Sequence, residues 1–390
     1  MPLLSELKKN AKRERKFTAD PLDSWTLPPH YYYDPAIYEK EKREIWFKTW
    51  QYVGLVADLK NVGDYFTTQI LDQKLFVIRS KDGKIRTFYN VCQHRGHTLF
   101  DPDTRGNALQ ITCKFHAWSY DTFGNLRNAP MSEVVRNFHN EDFCVPEIRT
   151  EMLGPMIFVN LDDSAAPLMD QGGKLLQRFR DAVVGFDDLL LARREGFQVK
   201  ANWKFILDGL ECYHCPYIHP QSMGRRDSTT TKTWDAHIEG IWQAHRTLGN
   251  YELMDKHPEK FPYPITNATN RDIYVWFMFP NLVFVSRQGP PNFQILHAMP
   301  QGPEQSIRYQ INFCPNDPPN EFDLGHMNHY RDVVWPQDCE AMEKQMSGIK
   351  SLGFRRGRLM TDESSSWWSE EGTHHFNHLV WKSLNGEHYA

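Results

Sequence analysis

Four residues of metal-ligand type fall in two compact pairs, Cys92-Gln93-His94 and Cys113-Lys114-Phe115-His116, with eighteen residues between the pairs. Thiolates suit iron-sulfur clusters and imidazoles suit iron, zinc or copper, so the set could hold a structural zinc ion or a two-iron cluster. Zinc pairs usually keep about two to four residues between ligands. A mixed-ligand [2Fe-2S] centre, with two thiolates on one iron and two imidazoles on the other, needs one Cys and one His from each of two short loops, and the spacing favours it. A second dense stretch begins at Asn202-Trp203-Lys204 and ends in Glu211-Cys212-Tyr213-His214-Cys215-Pro216-Tyr217-Ile218-His219. On a helix Glu211 and His214 share a face, but His219 is turned away from His214 by well over a right angle. Pro216 disrupts a regular helix, so the chain can turn and bring His219 round to a metal held by His214. Two His and one carboxylate form the facial triad of mononuclear non-haem iron(II), with positions open for dioxygen and substrate, and spacing alone nominates Glu211 as the carboxylate. The ordinary alternative is a pair of partly buried histidines. Cys212 and Cys215 read as filler around them.

Both stretches resemble the Rieske non-haem iron oxygenase α-subunits. The first pair is followed by Arg95-Gly96 and the second by Trp118-Ser119-Tyr120-Asp121, with Gly124 close behind. Neither loop has the extra cysteine that forms a disulfide in respiratory-chain Rieske proteins, so the pattern is similar to the lower-potential, oxygenase kind. Lys114 and Phe115 stand where the family often has Pro and Tyr. The resemblance assigns Cys92, His94, Cys113 and His116 to a Rieske [2Fe-2S] cluster and His214 and His219 to a mononuclear Fe(II). It moves the third iron ligand to an Asp on a downstream helix. Trp335-Pro336-Gln337-Asp338-Cys339-Glu340 matches that setting, making Asp338 the choice over Asp332 and Asp362, although an Asp near a helix start is also a common N-cap. Glu211 then becomes a carboxylate that orients two imidazoles: in a homotrimer, His116 of one subunit would contact Glu211 of the next, and Glu211 would hydrogen-bond His214.

Such enzymes take electrons from NAD(P)H through a separate flavin/iron-sulfur reductase, activate O2 at the iron and oxidise a small-molecule substrate. No nucleotide-binding glycine fingerprint is visible here, in keeping with a separate reductase. The Glu211 to Pro216 form of the motif resembles the branch acting on quaternary ammonium compounds, which includes oxygenases of glycine betaine, stachydrine and carnitine. That implies hydroxylation of an N-methyl carbon and oxidative N-demethylation of a betaine-type substrate. Trp367, Trp368, Phe376 and Trp381, or the neighbourhood of Trp234 and Trp242, could offer aromatic faces to the cation. The alternatives are an aromatic-ring-hydroxylating dioxygenase or aromatic O-demethylase and, in another class, a non-enzymatic Rieske electron carrier.

The elements that must position these residues divide the chain into an N-terminal arm and helix over 1–49 that packs on the catalytic domain, an all-β cluster module over 50–161, and an α+β catalytic domain over 162–390, an antiparallel sheet covered by helices. Asp34 offers an N-cap and Pro35 a first helical position for a helix to about Trp50, its apolar side interrupted by Glu41 and Lys42. Short strands follow at Tyr65–Ile70, Leu75–Arg79 and Ile85–Tyr89, with a hairpin signal at Lys81-Asp82-Gly83-Lys84 and a buried closing strand over Gly154–Leu161. Leu175–Arg194 has helical character. Ile273–Phe279, Leu282–Val285, Phe293–Met299 and Ser306–Phe313 read as strands, and Asp338–Lys350 as a helix burying Met342, Met346 and Ile349. With 390 residues, 40% hydrophobic and 13% aromatic, the chain has room for two cored domains. A net charge of -4 points to no nucleic-acid or membrane surface. The basic stretch from Lys8 to Lys16 precedes no signal-like apolar run, and no segment reaches the roughly 18 apolar residues of a membrane span, so a cytoplasmic location is expected, with the remaining cysteines reduced.

Overall fold

The computed structural model describes residues 15–208, 218, 229–261, 263–364, 366 and 369–386. The chain divides into two compact units, one built from residues 41–177 and the other from the N-terminal residues to Lys40 together with Arg178 onward.

The 41–177 unit is all-β. Its strands are β1 (Gln51–Leu55), β2 (Asp64–Ile70), β3 (Gln73–Arg79), β4 (Ile85–Tyr89), β5 (Arg105–Asn107), β6 (Gln110–Thr112), β7 (Ser119–Asp121), β8 (Leu126–Asn128), β9 (Glu147–Leu153) and β10 (Met156–Asn160). Among the described residues they form a larger antiparallel sheet in the order β1-β10-β9-β4-β3-β2-β5 and a small one, β6-β7-β8. The hairpin expected at Lys81 to Lys84 is present, with Gly83 at positive φ and the Lys84 amide donating to Asp82. β10 is buried along its whole length, and its partner β9 turns into it at Gly154. Phe76, Ile78, Phe88, Trp118, Tyr120, Leu126 and Val145 gather around Cys92 and Cys113 as one core, so the cysteines are held by packed side chains rather than by loop residues alone.

Two local expectations are corrected. The helix begins as expected, the Ala36 amide donating to Asp34, but it is α-helical only over Pro35–Glu41 and π-helical over Lys42–Trp46. The wider turn leaves Glu41 buried beside Ile45 and Trp46, so the charge that broke the apolar stripe lies inside it. The helix expected over Leu175–Arg194 instead spans Leu168–Ala182. Gly185, at φ 64, then reverses the chain into β11 (Leu190–Val199).

The other unit is α+β. β11 and β12 (Thr229–Glu239), β13 (Trp242–Gly249), β14 (Ile273–Met278), β15 (Leu282–Ser286), β16 (Phe293–Gly302) and β17 (Gln305–Cys314) make an antiparallel sheet ordered β11-β17-β16-β15-β14-β13-β12. β15 is buried throughout and β16 through its first half, as expected for central strands. The helix Trp203–Asp208 lies against β16 and β17, Trp335–Ile349 touches β11, and Glu371–Leu384 packs on Trp203–Asp208. Residues of the N-terminal segment stitch into this unit: the Thr26 amide donates to the Gly357 carbonyl, and the Arg358 guanidinium donates to the carbonyls of Leu22 and Ser24. Among the described residues, no helix is long and apolar enough to cross a membrane.

Candidate metal centres and substrate cavity

The two Cys/His loops are built alike. In the first, the Cys92 amide donates to the His97 carbonyl and the Gly96 amide to the Cys92 carbonyl; in the second, Cys113 donates to Trp118 and Ala117 to Cys113. The fourth residue after each cysteine sits in the left-handed region, Gly96 at φ 73 and Ala117 at φ 57. Glycine adopts that conformation without penalty, whereas alanine does so at a cost, which only a loop fixed from both ends sustains. Each turn presents its cysteine inward and its histidine outward. Cys92 and Cys113 are buried in the aromatic core and free of any disulfide, while the His94 and His116 rings lie 4.6 Å apart at the surface side.

The surroundings act on the Cys92 sulfur in opposite directions. Burial pushes the Cys92 thiol up, so an isolated sulfur would stay protonated, and only a bound cation would favour the thiolate there. Tyr120 Oη accepts the Gln93 amide at 3.1 Å and lies 3.2 Å from Cys92 Sγ, leaving its own proton to donate to the sulfur. A hydrogen bond of that kind raises a cluster's potential. His94 stacks parallel on Trp118 at 4.6 Å, which fixes its ring plane, and Phe115 lies 3.9 Å from His116. The four side chains fit a cluster with two sulfurs on the core side and two imidazoles outside.

Asp338, a candidate ligand of the second centre, lines a cavity of about 740 Å³ in the α+β unit. Asn202 starts the helix beneath it, its Oδ1 accepting the Lys204 amide at 3.0 Å while its Nδ2 donates to the Pro303 carbonyl. Trp203 and Lys204 are buried, the ammonium lying 5.2 Å from the ring centres of both Tyr32 and Trp203. Asp208, at the helix end, accepts from Tyr32 Oη at 3.0 Å, and burial raises its carboxyl to about 7. Asp338 reaches the same cavity from the opposite helix, its Oδ2 accepting from Arg308 Nη1 at 3.1 Å. The N-cap role open to Asp338 does not apply. Helix Glu321–His329 runs through a π-helical turn, Tyr330–Val334, into Trp335–Ile349 without interruption, so Asp338 lies within a helix and is aimed by it. π-Turns of this kind frequently mark functional sites.

The other carboxylate candidates are engaged elsewhere. Asp332 is exposed and forks onto Arg331, and Asp362 accepts the hydroxyls and amides of Ser364 and Ser366. Glu211, His214 and His219, with Cys212 and Cys215, lie outside the described residues. Asp208 and Ile218, which are described, both line the cavity. Of the aromatic residues nominated for a cation, Phe376 is core, edge-on to Trp203 and Phe277, and Trp242 lies under Arg178. Trp381 packs near Phe17, while Trp367 and Trp368 and the side chain of Trp234 are not described. Among the described residues, the cavity's aromatic lining is Tyr32, Phe205, Trp335 and Phe354. Spacing gives no signal for these, since they come together only through the tertiary fold.

Residues 49–139 match the family described as the Rieske [2Fe-2S] domain, and residues 186–385 match the ring hydroxylating alpha subunit (catalytic domain). The chain belongs to the Rieske non-haem iron oxygenase α-subunits. This oxygenase is 30% identical over 381 residues to the carnitine monooxygenase oxygenase subunit of Escherichia coli (strain K12), covering 97% of this chain and 98% of that one. Two solved structures of the quaternary ammonium Rieske monooxygenase CntA each cover 96% of this chain and 99% of their own. One, in complex with substrate L-carnitine, superposes with a TM-score of 0.81 at 29% identity; the other, described as giving insight into carnitine oxidation and inter-subunit electron transfer, does so with 0.82 at 28%. As in that family, the oxygenase uses a Rieske [2Fe-2S] cluster and a mononuclear iron.

Proposed function

We propose that this oxygenase is the terminal component of a monooxygenase that hydroxylates an N-methyl carbon of a small, betaine-type quaternary ammonium compound. The hydroxymethyl ammonium so formed collapses, breaking the C–N bond to leave the tertiary N,N-dimethylamino acid, formaldehyde and a proton. The observation that carries the reading is the cavity beside Asp338, apolar over most of its wall and charged at a few points, in a chain matched along nearly its whole length by a carnitine monooxygenase. Bound iron supplies dioxygen activation and the cluster supplies electrons. The protein's own part is to hold the metals through Cys92, His94, Cys113 and His116 at one centre and His214, His219 and Asp338 at the other, within domains spanning 50–161 and 162–390. Beyond these ligands, Arg308 orients the Asp338 carboxylate, and Tyr32, Phe205 and Phe354 present ring edges or faces to the substrate. A desolvated cation gains about 0.5 to 2 kcal/mol from each aromatic face.

Electrons come from a separate NAD(P)H-dependent reductase in the cytoplasm. In a homotrimer they pass between subunits, from His116 through Glu211 of the next chain to His214. Glu211→Gln keeps the size of that bridge but loses its charge and one acceptor oxygen. We expect both metals to remain bound and turnover to fall by about 100-fold, the upper range for loss of a carboxylate that supports metal ligands. A pre-reduced variant whose cluster oxidised at the wild-type rate on addition of substrate and oxygen would sink the relay.

The substrate assignment is tested with a betaine against its isostere carrying carbon in place of nitrogen, each supplied with O2 and a reductase. The betaine should bind about tenfold more tightly, the value of one or two aromatic faces, and release formaldehyde in step with oxygen uptake. Equal affinity would turn the reading toward aromatic substrates. Release of intact trimethylamine would place hydroxylation on the chain carbon instead of the methyl.

A further inference from the structure

Among the described residues, five charged side chains line the cavity besides Arg287, and each is engaged. Arg308 pairs with Asp338, Arg358 donates to the carbonyls of Leu22 and Ser24, the Glu370 carboxylate accepts the Met360 amide, and Asp208 accepts from Tyr32. The guanidinium of Arg287 differs. The side chain is half-buried and lines the cavity, and its Nε is enclosed without a hydrogen-bond partner. Among the described residues no carboxylate lies within ion-pairing distance of it and no oxygen accepts from it. Burial lowers its pKa, but an arginine is too basic to shed its proton on that account. Asp338 acts on it at longer range but is paired with Arg308, so among the described residues this half-enclosed cation has no anion bonded to it, an arrangement costly enough to point to a use.

The same side chain is held rigidly. Arg287 directly follows β15, and Asn292 clamps its backbone from both sides, Oδ1 accepting the Arg287 amide at 3.0 Å and Nδ2 donating to its carbonyl at 2.9 Å. Its Cζ lies only 3.7 Å from the centre of the Tyr330 ring, so a face of the guanidinium is covered and its edge is left for a ligand. Tyr330 opens the π-helical turn that leads to Asp338, which ties the position of this cation to that of the candidate iron ligand. His326, packed edge-on to Tyr330 at 5.0 Å, is held neutral by burial, its pKa lowered to about 3. It brings no competing charge.

A planar fork with its edge open toward a largely apolar cavity matches a carboxylate, which it can grip with two parallel hydrogen bonds. We propose that Arg287 anchors the carboxylate of the substrate and so makes this oxygenase selective for zwitterionic quaternary ammonium acids over the corresponding alcohols. The cationic end of that substrate rests on the function proposed above; the anionic end rests on Arg287 alone. With one end on Arg287 and the other among the apolar and aromatic walls, the molecule is fixed at two points. Chain length then decides which carbon faces the metal.

The test uses the full-length, metal-replete oxygenase with a reductase and two matched series, trimethylammonio carboxylates with one, two and three methylenes and trimethylammonio alcohols of the same lengths. The wild type should favour the acids in kcat/KM. Arg287→Gln should lower the acid-over-alcohol ratio about 10- to 100-fold, the worth of a charge-assisted hydrogen bond or pair, with the rise in KM for acids exceeding the fall in kcat. Arg287→Lys, which keeps the charge and loses the fork, should fall between them. Iron content and the cluster's electron paramagnetic resonance signal show that each variant is folded and loaded. A wild type without preference for acids, or an Arg287→Gln that depresses acids and alcohols by the same factor, overturns the anchor and leaves the quaternary ammonium reading standing. The carbon-for-nitrogen acid separates the two in the other direction. If it binds the wild type as tightly as the zwitterion, and Arg287→Gln weakens both, the anchor holds and the cationic reading falls.

Discussion

Cys113→Ser protein should purify without the visible absorption of a [2Fe-2S] cluster, give no Rieske resonance on reduction, and turn over no substrate, while its mononuclear iron stays in place. Serine is nearly the size of cysteine, so the turn that holds it survives: the backbone bonds from Cys113 to Trp118 and from Ala117 back to Cys113 use no side-chain atom. What changes is the ligand. A serine hydroxyl is far more basic as an anion than a thiol and is the wrong partner for an iron-sulfur centre. At 2% exposure in a core of Phe76, Phe88 and Trp118, the new hydroxyl has little around it to bond. Leaving it unsatisfied costs about 1 to 3 kcal/mol, a loss a domain of ordinary stability tolerates. Loss of cluster through loss of fold is therefore separable by circular dichroism, which should be unchanged. A Cys113→Ser protein that kept a normal Rieske signal would remove Cys113 from the ligand set.

The cluster module was legible because its information is local. Cys92-x-His94 and Cys113-x-x-His116 each sit within one turn, and a turn of that length is fixed by its own backbone bonds and by Gly96 or Ala117 at its end. The β2, β3 and β4 strands were equally readable from alternation between clear turn residues. Beyond Leu168 the signal weakened for physical reasons. Leu168, Leu175 and Phe179 are buried on one helical stripe, and the apolar run at Leu189 to Leu191 prolongs that appearance past the true helix end. Only the left-handed Gly185 marks the stop, and the strand it introduces is an edge strand carrying Arg193, Arg194 and Glu195, which hides its period. The β12 and β13 hairpin, closed at a left-handed Gly240, went unrecognised as well. Arg287 lay beyond any reading of local pattern. Nothing in the sequence near it says that Tyr330, more than forty residues on, will cover its face, or that the other described charged groups around the cavity will find partners first.

The largest effect at the second centre is expected from Asp338, and two substitutions are needed to read it. Asp338→Ala should abolish the mononuclear iron and lower activity by at least about 100-fold, since even residues that merely support a metal ligand change affinity by 10- to 100-fold when lost. The alanine also strands Arg308, only 8% exposed, beside an absent anion. Breaking a buried pair from one side costs about 3 to 5 kcal/mol, enough to lower the melting temperature on its own account. Asp338→Asn avoids most of that penalty, because its amide oxygen can still accept from Arg308 Nη1. Its neutral oxygen is a poor ligand for iron(II) beside two neutral imidazoles. Asparagine should therefore restore stability to near the wild type without restoring iron or turnover, and in both variants the Rieske signal should be untouched. If Asp338→Asn were instead active with a full complement of iron, the third ligand would have to come from another carboxylate. Asp332 is spent on Arg331 and Asp362 on two serines, so the search would turn to Asp208, whose buried carboxyl lines the same cavity wall.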